Sequence, residues 1–502
     1  MSSGDWFLGI DLGTTHTAVV ALQQGSGQAL SILHGRKQPV LPSVVSFKNP
    51  DMPLVGWLAK DMLLTDPLTT IHGWKRFIGR KEQSEYVSRH RHRFAYRIHE
   101  DPQRELGALV HGRIVPFTEV ARLVLDQVRR QAAASLERDV RQCVISVPAH
   151  FTSGQRAAIR QAGAAAGLEV SGVINEPTAA AIAFAIDQQL EHRVLVFDLG
   201  GGTFDASILE LVDNVFDVKA TGGESFLGGI DFDQAVMDRL VEVCRQRHRV
   251  DPSEEPVVAQ RLLSASEAAK CALSSAEQTR VHVPMLGQDR RGKPFDLDLT
   301  LARADLEAMT APLVERSIGI VEHTLRQADL RPADIDHVVM VGGQSRMPLV
   351  RQRIEEMMQR PPLTHLDPDT IVAHGAALMA RSDRDLTGAV LLDVLSVPIG
   401  VVFPGGATDF VFDRNQSLPA HRRLPLPRPD PGRGISIGFW QGVDVTSSER
   451  TVLGVAHVPP HHFDAGTDFA LEVELDQSLQ ITAAFVSNLE RVPLPLAPPR
   501  SR

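Results

Sequence analysis

The sequence predicts an α/β architecture with buried sheets up to about residue 383, followed by a small antiparallel β unit. Before residue 383, apolar bursts that end in Gly, Pro or Asp alternate with amphipathic helical patterns, as in α/β folds. After it, short strand-like runs are separated by Pro and Gly. This change in composition predicts a domain boundary.

Length and composition place the chain among globular proteins. It has 502 residues, 43% of them hydrophobic and 23% charged, with a net charge of −9. That charge gives no reason to expect nucleic acid or an anionic membrane as the main partner. The three cysteines lie far apart, so neither a disulfide framework nor a Cys-based metal cluster is predicted. Without a secretory signal or a long apolar run, the expected location is the cytoplasm.

The elements of the first part follow from periodicity and end signals. One helix is predicted from about Thr118, a plausible N-cap, and another over Gln155–Ala166, ending at Gly167. Small residues after Glu176 and in His374–Leu378 permit close packing of two helices, which predicts a hinge between lobes. The strand candidates are Phe7–Ile10, Val144–Val147, Val194–Phe197 and Val338–Val341.

The second part reads as short strands with turns between them. Prolines in 425–431 predict an extended loop that cannot pair as a central strand, and the residues from Pro493 onward read as a tail. The apolar segment 385–393 lies where a solvated linker is expected, so it should dock on another surface. The strand candidates are Phe410–Phe412, Ile435–Trp440, Phe469–Leu475 and Leu479–Thr482.

Two Gly- and Thr-rich turns carry the chemistry. Asp11–Thr17 and Asp198–Asp205 each follow an apolar strand and each begin with an aspartate. Glycine lets backbone N–H groups approach a phosphate, threonine adds donors, and a strand-end carboxylate can hold hydrated Mg²⁺. Neither turn is a Walker A sequence. A third glycine pair, in Val341–Pro348, fits either a nucleoside contact or a tight strand-to-helix turn.

Together these segments resemble the DnaK-type chaperones of the heat shock protein 70 family, within the actin-like ATPase superfamily. The resemblance extends over nearly the whole chain and implies a two-lobed ATPase domain followed by a small antiparallel β-sandwich. The segments that carry it are Gly9–Thr15, Val147–Ala149, Ile174–Thr178, Asp198–Asp205, Leu227–Asp233 and Leu391–Val394.

The resemblance implies a role for each matching residue. Asp11 and Asp198 would hold Mg²⁺ through water, and K⁺ is also expected. Lys75 would face the γ-phosphate, Glu176 would help position the attacking water, and Thr203 would lie beside the phosphate. Without the resemblance, the pattern of Glu267, Lys270 and Ser274 on one helical face would read as a solvated surface. The residues expected to bind ATP or ADP are Gly13, Thr14, Thr15, His16, Gly201, Gly202, Glu267, Lys270, Ser274, Gly342, Gly343, Gln344, Ser345, Arg346 and Asp369.

Other positions match the family's coupling and peptide-binding segments. Pro148 and Arg156 match its proline switch, and Leu391, Leu392 and Asp393 match its interdomain linker. A peptide cleft is expected around Val401, Phe403 and Pro404, although burial statistics equally allow Val401 and Phe403 to be core residues.

The chain departs from the family pattern at several points. His16 and His150 stand where relatives carry other polar residues. Residues 162–167 lack a basic residue near the J-domain contact, so J-domain stimulation in its usual form is not expected. No amphipathic helix follows Thr482, so a helical lid is expected to be absent and peptide release to be fast. The basic run Arg89–Arg93 is interpreted as a solvated loop rather than a nucleic-acid site.

The resulting hypothesis is an ATP-hydrolysing chaperone. Its expected parts are an ATPase domain over 1–383, an apolar linker over 384–396 and a truncated β-sandwich over 397–502. The expected partners are extended polypeptide clients, with a J-domain co-chaperone and a nucleotide-exchange factor. One alternative is a regulatory protein that keeps the ATPase fold but serves a single partner. A sugar or acetate kinase is disfavoured, because Lys75 and Asp393 have no role in one.

Overall fold

The computed structural model describes residues 5–185, 192–212, 215–363, 366–380, 390–443, 446–477 and 479–497. Its helices are α1 (Trp57–Met62), α2 (Glu85–His90), α3 (Phe117–Leu136), α4 (Ser153–Ala165), α5 (Glu176–Ala185), α6 (Gly229–His248), α7 (Pro256–Leu273), α8 (Arg303–Gln327), α9 (Pro348–Met358) and α10 (Ile371–Ala380). Short 3-10 turns include Trp74–Arg76, Arg91–Arg93 and Gly343–Arg346. Within these ranges, no helix has both the length and the apolar character to span a bilayer.

The strands before residue 396 are β1 (Trp6–Leu12), β2 (His16–Gln23), β3 (Ala29–Ser31), β4 (Val40–Pro42), β5 (Val45–Ser46), β6 (Leu54–Val55), β7 (Thr70–Ile71), β8 (Arg97–Glu100), β9 (Leu106–Val110), β10 (Arg113–Pro116), β11 (Gln142–Val147), β12 (Glu169–Asn175), β13 (His192–Leu199), β14 (Phe204–Val212), β15 (Val215–Glu224), β16 (Gln278–Gln288), β17 (Pro294–Ala302), β18 (His337–Val341) and β19 (Val390–Leu392). Those after it are β20 (Ile399–Val402), β21 (Thr408–Phe412), β22 (Ala420–Pro425), β23 (Ile435–Gln441), β24 (Thr451–Val458), β25 (Ala470–Leu475), β26 (Ile481–Val486) and β27 (Arg491–Leu494).

Two mixed sheets form two lobes. In the first lobe the strand order is β12-β11-β1-β2-β3, with β4 also paired to β2, and α3 and α4 lie against one another. In the second lobe the order is β18-β13-β14-β15-β19, with α6 to α9 in the adjoining core. The four strands predicted for the first part all form, as β1, β11, β13 and β18.

Helices α5 and α10 cross between the lobes, and glycine sets how closely they approach. A Cβ built on Gly375 would lie 1.7 Å from the Ala179 carbonyl oxygen, and one on Gly9 would lie 2.0 Å from the Ala373 carbonyl oxygen. No other residue fits at either place without backbone movement. The prediction of two helices packed through small residues is therefore confirmed.

Two predicted helix starts differ from the structure. Helix α3 begins at Phe117 with Pro116 as its N-cap, and Thr118 lies inside the first turn, where its hydroxyl donates to Glu105 Oε2 at 2.7 Å. Proline supplies an extended N-cap backbone, so a capping hydroxyl is not needed. Helix α4 begins at Ser153, two residues earlier than predicted, because Thr152 and Gln155 form a capping box.

The second part is a sandwich of two antiparallel sheets, with orders β21-β20-β23-β24 and β22-β25-β26-β27. Pro425 ends the edge strand β22 opposite Ala470, in agreement with its exclusion from central strands. The prediction of a tail from Pro493 is wrong over 493–497. Residues 491–494 form β27, and Ala497 bridges to Val455.

The interpretation of Arg89–Arg93 as a solvated loop is also wrong for part of the segment. It forms the end of α2 and a 3-10 turn. The Arg89 side chain is 65% exposed, but His90 is buried and Arg93 pairs with Asp231 of the second lobe. A run of charges predicts solvation only when no partner from elsewhere in the fold reaches it.

Candidate functional site

A cavity of about 310 Å³ lies between the two lobes. Of the residues expected to bind nucleotide or act on it, most line this cavity. Gly202 and Ser345 do not: the Gly202 carbonyl accepts from Arg76 Nε at 2.9 Å, and the fully buried Ser345 hydroxyl donates to the Gly342 carbonyl at 2.7 Å. The expected residues on the cavity wall are Asp11, Gly13, Thr14, Thr15, His16, Lys75, Glu176, Asp198, Gly201, Thr203, Glu267, Lys270, Ser274, Gly342, Gly343, Gln344, Arg346 and Asp369.

The two Gly- and Thr-rich turns face each other across this cavity. One joins β1 to β2 in the first lobe, and the other joins β13 to β14 in the second. A Cβ on Gly201 would lie 2.1 Å from Thr15 Oγ1, and one on Gly202 would lie 2.4 Å from Thr14 Cγ2. Only glycine permits this approach, so the two turns meet at the cavity with Gly201 against Thr15 and Gly202 against Thr14.

Lys75 is held rigidly at the wall of the cavity. It lies in the 3-10 turn Trp74–Arg76, which follows Gly73 in the left-handed region at φ 64°. Trp74 Nε1 donates to the Ser43 carbonyl at 2.9 Å and anchors the turn in the first lobe. The Lys75 ammonium, only 2% exposed in its side chain, donates to Glu176 Oε1 at 2.7 Å. The turn and the bond to Glu176 therefore hold the Lys75 ammonium at one place on the cavity wall.

The floor of the cavity carries more buried negative than positive charge. Burial raises the pKa of Glu176 to about 7, although Lys75 opposes the shift. Burial also raises the pKa of Asp11 and of Asp198, and for Asp198 the neighbouring carboxylates Glu176 and Asp205 add to the rise. Repulsion of this kind disappears when a cation binds among the carboxylates.

Helix α7 forms the opposite wall. Glu267, Lys270 and Ser274 face the cavity, so the helical face that reads as solvated by its pattern alone is a cavity wall. Lys270 Nζ pairs with Asp233 Oδ1 at 2.9 Å. Burial raises the pKa of Asp233 to about 6 against the effect of Lys270.

The third glycine pair lies at the cavity mouth. Gly342 has φ 80°, and a Cβ there would lie 2.4 Å from the Leu199 carbonyl oxygen, so this turn packs directly on the end of β13. Arg346 Nη2 pairs with Asp369 Oδ2 at 2.8 Å and with Asp367 Oδ1 at 3.1 Å. Gly342 is therefore needed for the packing of this turn on β13. The Arg346 side chain is 46% exposed and lies at the edge of the cavity.

Of the two unusual histidines, His16 lines the cavity and His150 does not. Burial lowers the pKa of His16 to about 4, with a further contribution from Lys60, so the ring is neutral at pH 7. His150 Nδ1 lies 2.9 Å from Asp205 Oδ1 and links the two lobes.

Sequence reasoning missed several residues that hold the lobes together. Lys60 Nζ donates to Glu267 Oε1 across the cavity mouth at 2.8 Å, and Arg76 pairs with Asp231. Asp231 and Asp233 lie in a segment that the resemblance included without a role for either. No local pattern marks Lys60, because its partner lies 207 residues further along the chain.

Two of the residues expected to couple the domains, Arg156 and Asp393, are linked through Asn175. Arg156 donates to the side chain of Asn175, and Asn175 Nδ2 donates to Asp393 Oδ2 at 2.8 Å. The Asp393 carbonyl accepts from Leu418 N of the sandwich at 2.8 Å. Burial raises the pKa of Asp393. Pro148 follows the end of β11, in the segment that leads to α4.

The apolar segment before Asp393 is docked. Val390–Leu392 forms β19, which pairs in parallel with Val215–Asp217 at the edge of the second-lobe sheet. This agrees with the expectation that an apolar linker docks. Residues 384–389 of the expected linker lie outside the described residues.

The sandwich also contacts the first lobe directly. Glu449 bonds to Arg80 and Ser84 and accepts from Tyr86 N at 3.1 Å. Gln441 Oε1 accepts from Ser153 Oγ at 2.7 Å. The structure is therefore one in which linker and sandwich both lie against the two lobes.

The three residues expected at a peptide cleft do not share one exposed surface. Val401 is fully buried in the core between the two sandwich sheets, and Phe403 packs against that core. Pro404 is exposed. Of the two alternatives for Val401, cleft wall or core, the structure favours core.

Comparison with known proteins gives a consistent result. The family model described as Hsp70 protein matches residues 7–426. The chain is 39% identical over 417 residues to the chaperone protein DnaK of one strain of Thermus thermophilus, and equally to that of a second strain of the same species. Each match covers 83% of this chain and 67% of the relative.

Proposed function

Since this chain belongs to the Hsp70 family, and is thus a chaperone of the DnaK type, we propose that it hydrolyses ATP in the cavity between its lobes. We further propose that the state of the nucleotide controls how its β-sandwich binds extended polypeptide segments. The observation that carries the proposal is the pair of opposed turns, where Gly201 and Gly202 approach Thr15 and Thr14 too closely for any side chain. Two glycine- and threonine-rich turns brought this close together suit a chain of phosphates.

The carboxylates on the cavity floor fit Mg²⁺. Asp11 and Asp198 offer oxygen ligands, and their raised pKa values reflect an excess of negative charge that a divalent cation would neutralise. In this proposal both hold the ion through water, and the ion would supply charge neutralisation at the phosphates. K⁺ ions are proposed in addition, on the resemblance to the family.

The chemistry that these side chains can perform is positioning and charge stabilisation. We assign Lys75 to the γ-phosphate, where its ammonium offsets the charge that develops during phosphoryl transfer. Glu176, tied to Lys75 at 2.7 Å, orients the attacking water, and the Thr203 hydroxyl lies beside the same phosphate. Glu267, Lys270 and Ser274 bind the adenosine side.

The proposed organisation is an ATPase domain over 1–383, a linker over 384–396 and a peptide-binding sandwich over 397–502. In the docked arrangement, Asp393 joins Asn175 of the first lobe to Leu418 of the sandwich. Hydrolysis would release this contact. A cytoplasmic location, polypeptide clients, a J-domain co-chaperone and an exchange factor are proposed on the same resemblance.

The test is ATP hydrolysis by the purified full chain, with and without a generic extended apolar peptide. We expect slow basal hydrolysis that the peptide accelerates. A protein that binds ATP but shows the same rate with and without peptide would refute the coupling. Absence of ATP binding would refute the site. Suppression of aggregation of several unrelated clients separates a general chaperone from a protein with one dedicated partner.

A further inference from the structure

The basic segment Arg89–Arg93 of the first lobe holds a turn of the second lobe, Ser225–Asp231. Phe226 of this turn is 4% exposed and is inserted among first-lobe side chains. The His90 ring stacks on it at 3.8 Å with an interplanar angle of 7°, and the Arg76 guanidinium lies 5.0 Å from its centroid. Burial lowers the pKa of His90 to about 4, so this stack involves a neutral imidazole at pH 7.

Asp231 supplies the polar half of the same contact. Its Oδ1 accepts from Arg93 Nη1 at 2.8 Å, and its Oδ2 pairs with Arg76 and accepts from Gly228 N at 2.9 Å. The Asp231 side chain is 6% exposed, whereas that of Arg93 is 31% exposed. Arg93 is therefore the member of the cluster that water reaches.

The Ser225–Asp231 turn is hydrogen-bonded to the second Gly- and Thr-rich turn, Asp198–Asp205, which we call the phosphate turn. Gly229 N donates to the Gly200 carbonyl at 2.9 Å, and Ile230 N donates to the Gly201 carbonyl at 2.8 Å. A Cβ on Gly228 would lie 2.7 Å from Gly202 N. Any movement of the Ser225–Asp231 turn away from the first lobe thus carries the phosphate turn with it.

We propose that His90 and Arg93, acting on Phe226 and Asp231, form a latch that keeps the lobes closed and sets the rate at which nucleotide leaves. The proposal rests on the proposed nucleotide site. Neither Arg93 nor Phe226 lines the cavity, so the latch acts on opening of the lobes and not on the reacting groups. Arg93 is a positioning residue, because it acts through Asp231.

The latch predicts that a substitution in it changes the rate of ADP release but not the rate of ATP hydrolysis. Replacing Arg93 by alanine removes one charge-assisted bond across the lobes and leaves Arg76 on Asp231. ADP release should accelerate roughly threefold to tenfold, the scale of a partly screened ion pair. Single-turnover hydrolysis of bound ATP should stay at the wild-type rate. Arg93→Lys should retain part of the effect, because it keeps the charge but loses the planar fork.

The segment supplies a matched control. Arg89→Ala removes an arginine four residues away whose partner, Glu85, lies on its own helix. Release from this variant should equal that of wild type. Phe226→Leu, which keeps an apolar plug but loses the stack, should accelerate release as Arg93→Ala does.

The experiment is stopped-flow release of a fluorescent ADP analogue from the full chain, chased with unlabelled ATP. Release from Arg93→Ala within about 1.5-fold of the Arg89→Ala rate would overturn the latch. Hydrogen exchange of the Gly228 amide, which donates to the Asp231 carboxylate that Arg93 holds, gives a second readout in the nucleotide-free protein, and it should be faster in Arg93→Ala than in Arg89→Ala. If wild type binds no nucleotide, the proposed function fails, while unchanged exchange would refute the latch alone.

Discussion

Replacing Lys75 by alanine should abolish most hydrolysis while leaving nucleotide bound. The ammonium is 2% exposed, and it lies 2.7 Å from Glu176 in a wall that also carries Asp11 and Asp198. It is the kind of preorganised charge whose loss costs about 2.7–4 kcal/mol in the transition state, or roughly 10²- to 10³-fold in rate. Nucleotide affinity should change little, because the two glycine turns remain.

A second effect of the substitution is protonation of Glu176. Its pKa is about 7 with Lys75 lowering it, so removal of the lysine raises it further. At pH 7 the Glu176 carboxyl group of the variant is then mostly protonated. A protonated carboxyl group accepts the hydrogen bond of the attacking water less well than a carboxylate does. Raising the pH to about 9 should recover this part of the loss but not the part due to the missing charge.

The assay is single-turnover hydrolysis of bound ATP at both pH values, with nucleotide affinity measured separately. Lys81→Ala is the matched control, since Lys81 lies in the same segment but bonds to the Arg104 carbonyl at the surface. A Lys75→Ala rate within about threefold of the Lys81→Ala rate would refute the assignment of Lys75 to the γ-phosphate.

The glycine turns, the linker and the buried carboxylate of Asp198 each give a further prediction. Gly201→Ala should weaken nucleotide binding at least about tenfold by equilibrium titration, because the new methyl group would lie 2.1 Å from Thr15 Oγ1. Unchanged affinity would show that nucleotide binding does not require the close approach of the two turns. Asp393→Ala should make protease cleavage at Leu391–Leu392 roughly tenfold faster with ATP and leave it unchanged with ADP, on the scale of a lost charged hydrogen bond. Equal cleavage rates of wild type with ATP and with ADP would show that linker docking does not depend on the nucleotide. Folding raises the pKa of Asp198 above its ordinary 3.8, so the native state holds more protons and this group lowers stability as pH rises. Asp198→Asn should therefore raise the melting temperature of the nucleotide-free protein more at about pH 8 than at about pH 4, and an equal change at both would contradict this reasoning.

The parts of the fold that sequence predicts well are those fixed by neighbours in the chain. Strands such as Val194–Phe197 and the turns that follow them are local, since an apolar run and a glycine suffice to specify them. The errors arise where a partner comes from elsewhere. Arg93 looks solvated until Asp231, 138 residues further on, is brought to it by the folding of both lobes.

Helix starts and the wall of the site show the same limit. Thr118 has the right chemistry for an N-cap, but Pro116 already holds the extended backbone. Lys60 reaches the cavity mouth from a short helix with no motif. Val401 lies on β20, where Ile399, Gly400 and Val401 are all buried, so no alternation of apolar and polar residues shows which face the second sheet of the sandwich covers.

The docked linker strand has a consequence for the molecule when it leaves. While Val390–Leu392 is paired, the backbone of Val215–Asp217 is an inner strand of its sheet. In the undocked state proposed above, that backbone would become a bare edge, open to any extended chain, including the linker of a second molecule. Charged side chains lie beside this edge: Lys219, on the same strand, pairs with Asp217 at 2.6 Å and with Glu210 at 2.7 Å. A charged cluster beside a bare edge disfavours stacking of copies, so the strand that receives the linker also carries the charges that oppose its pairing with a second molecule.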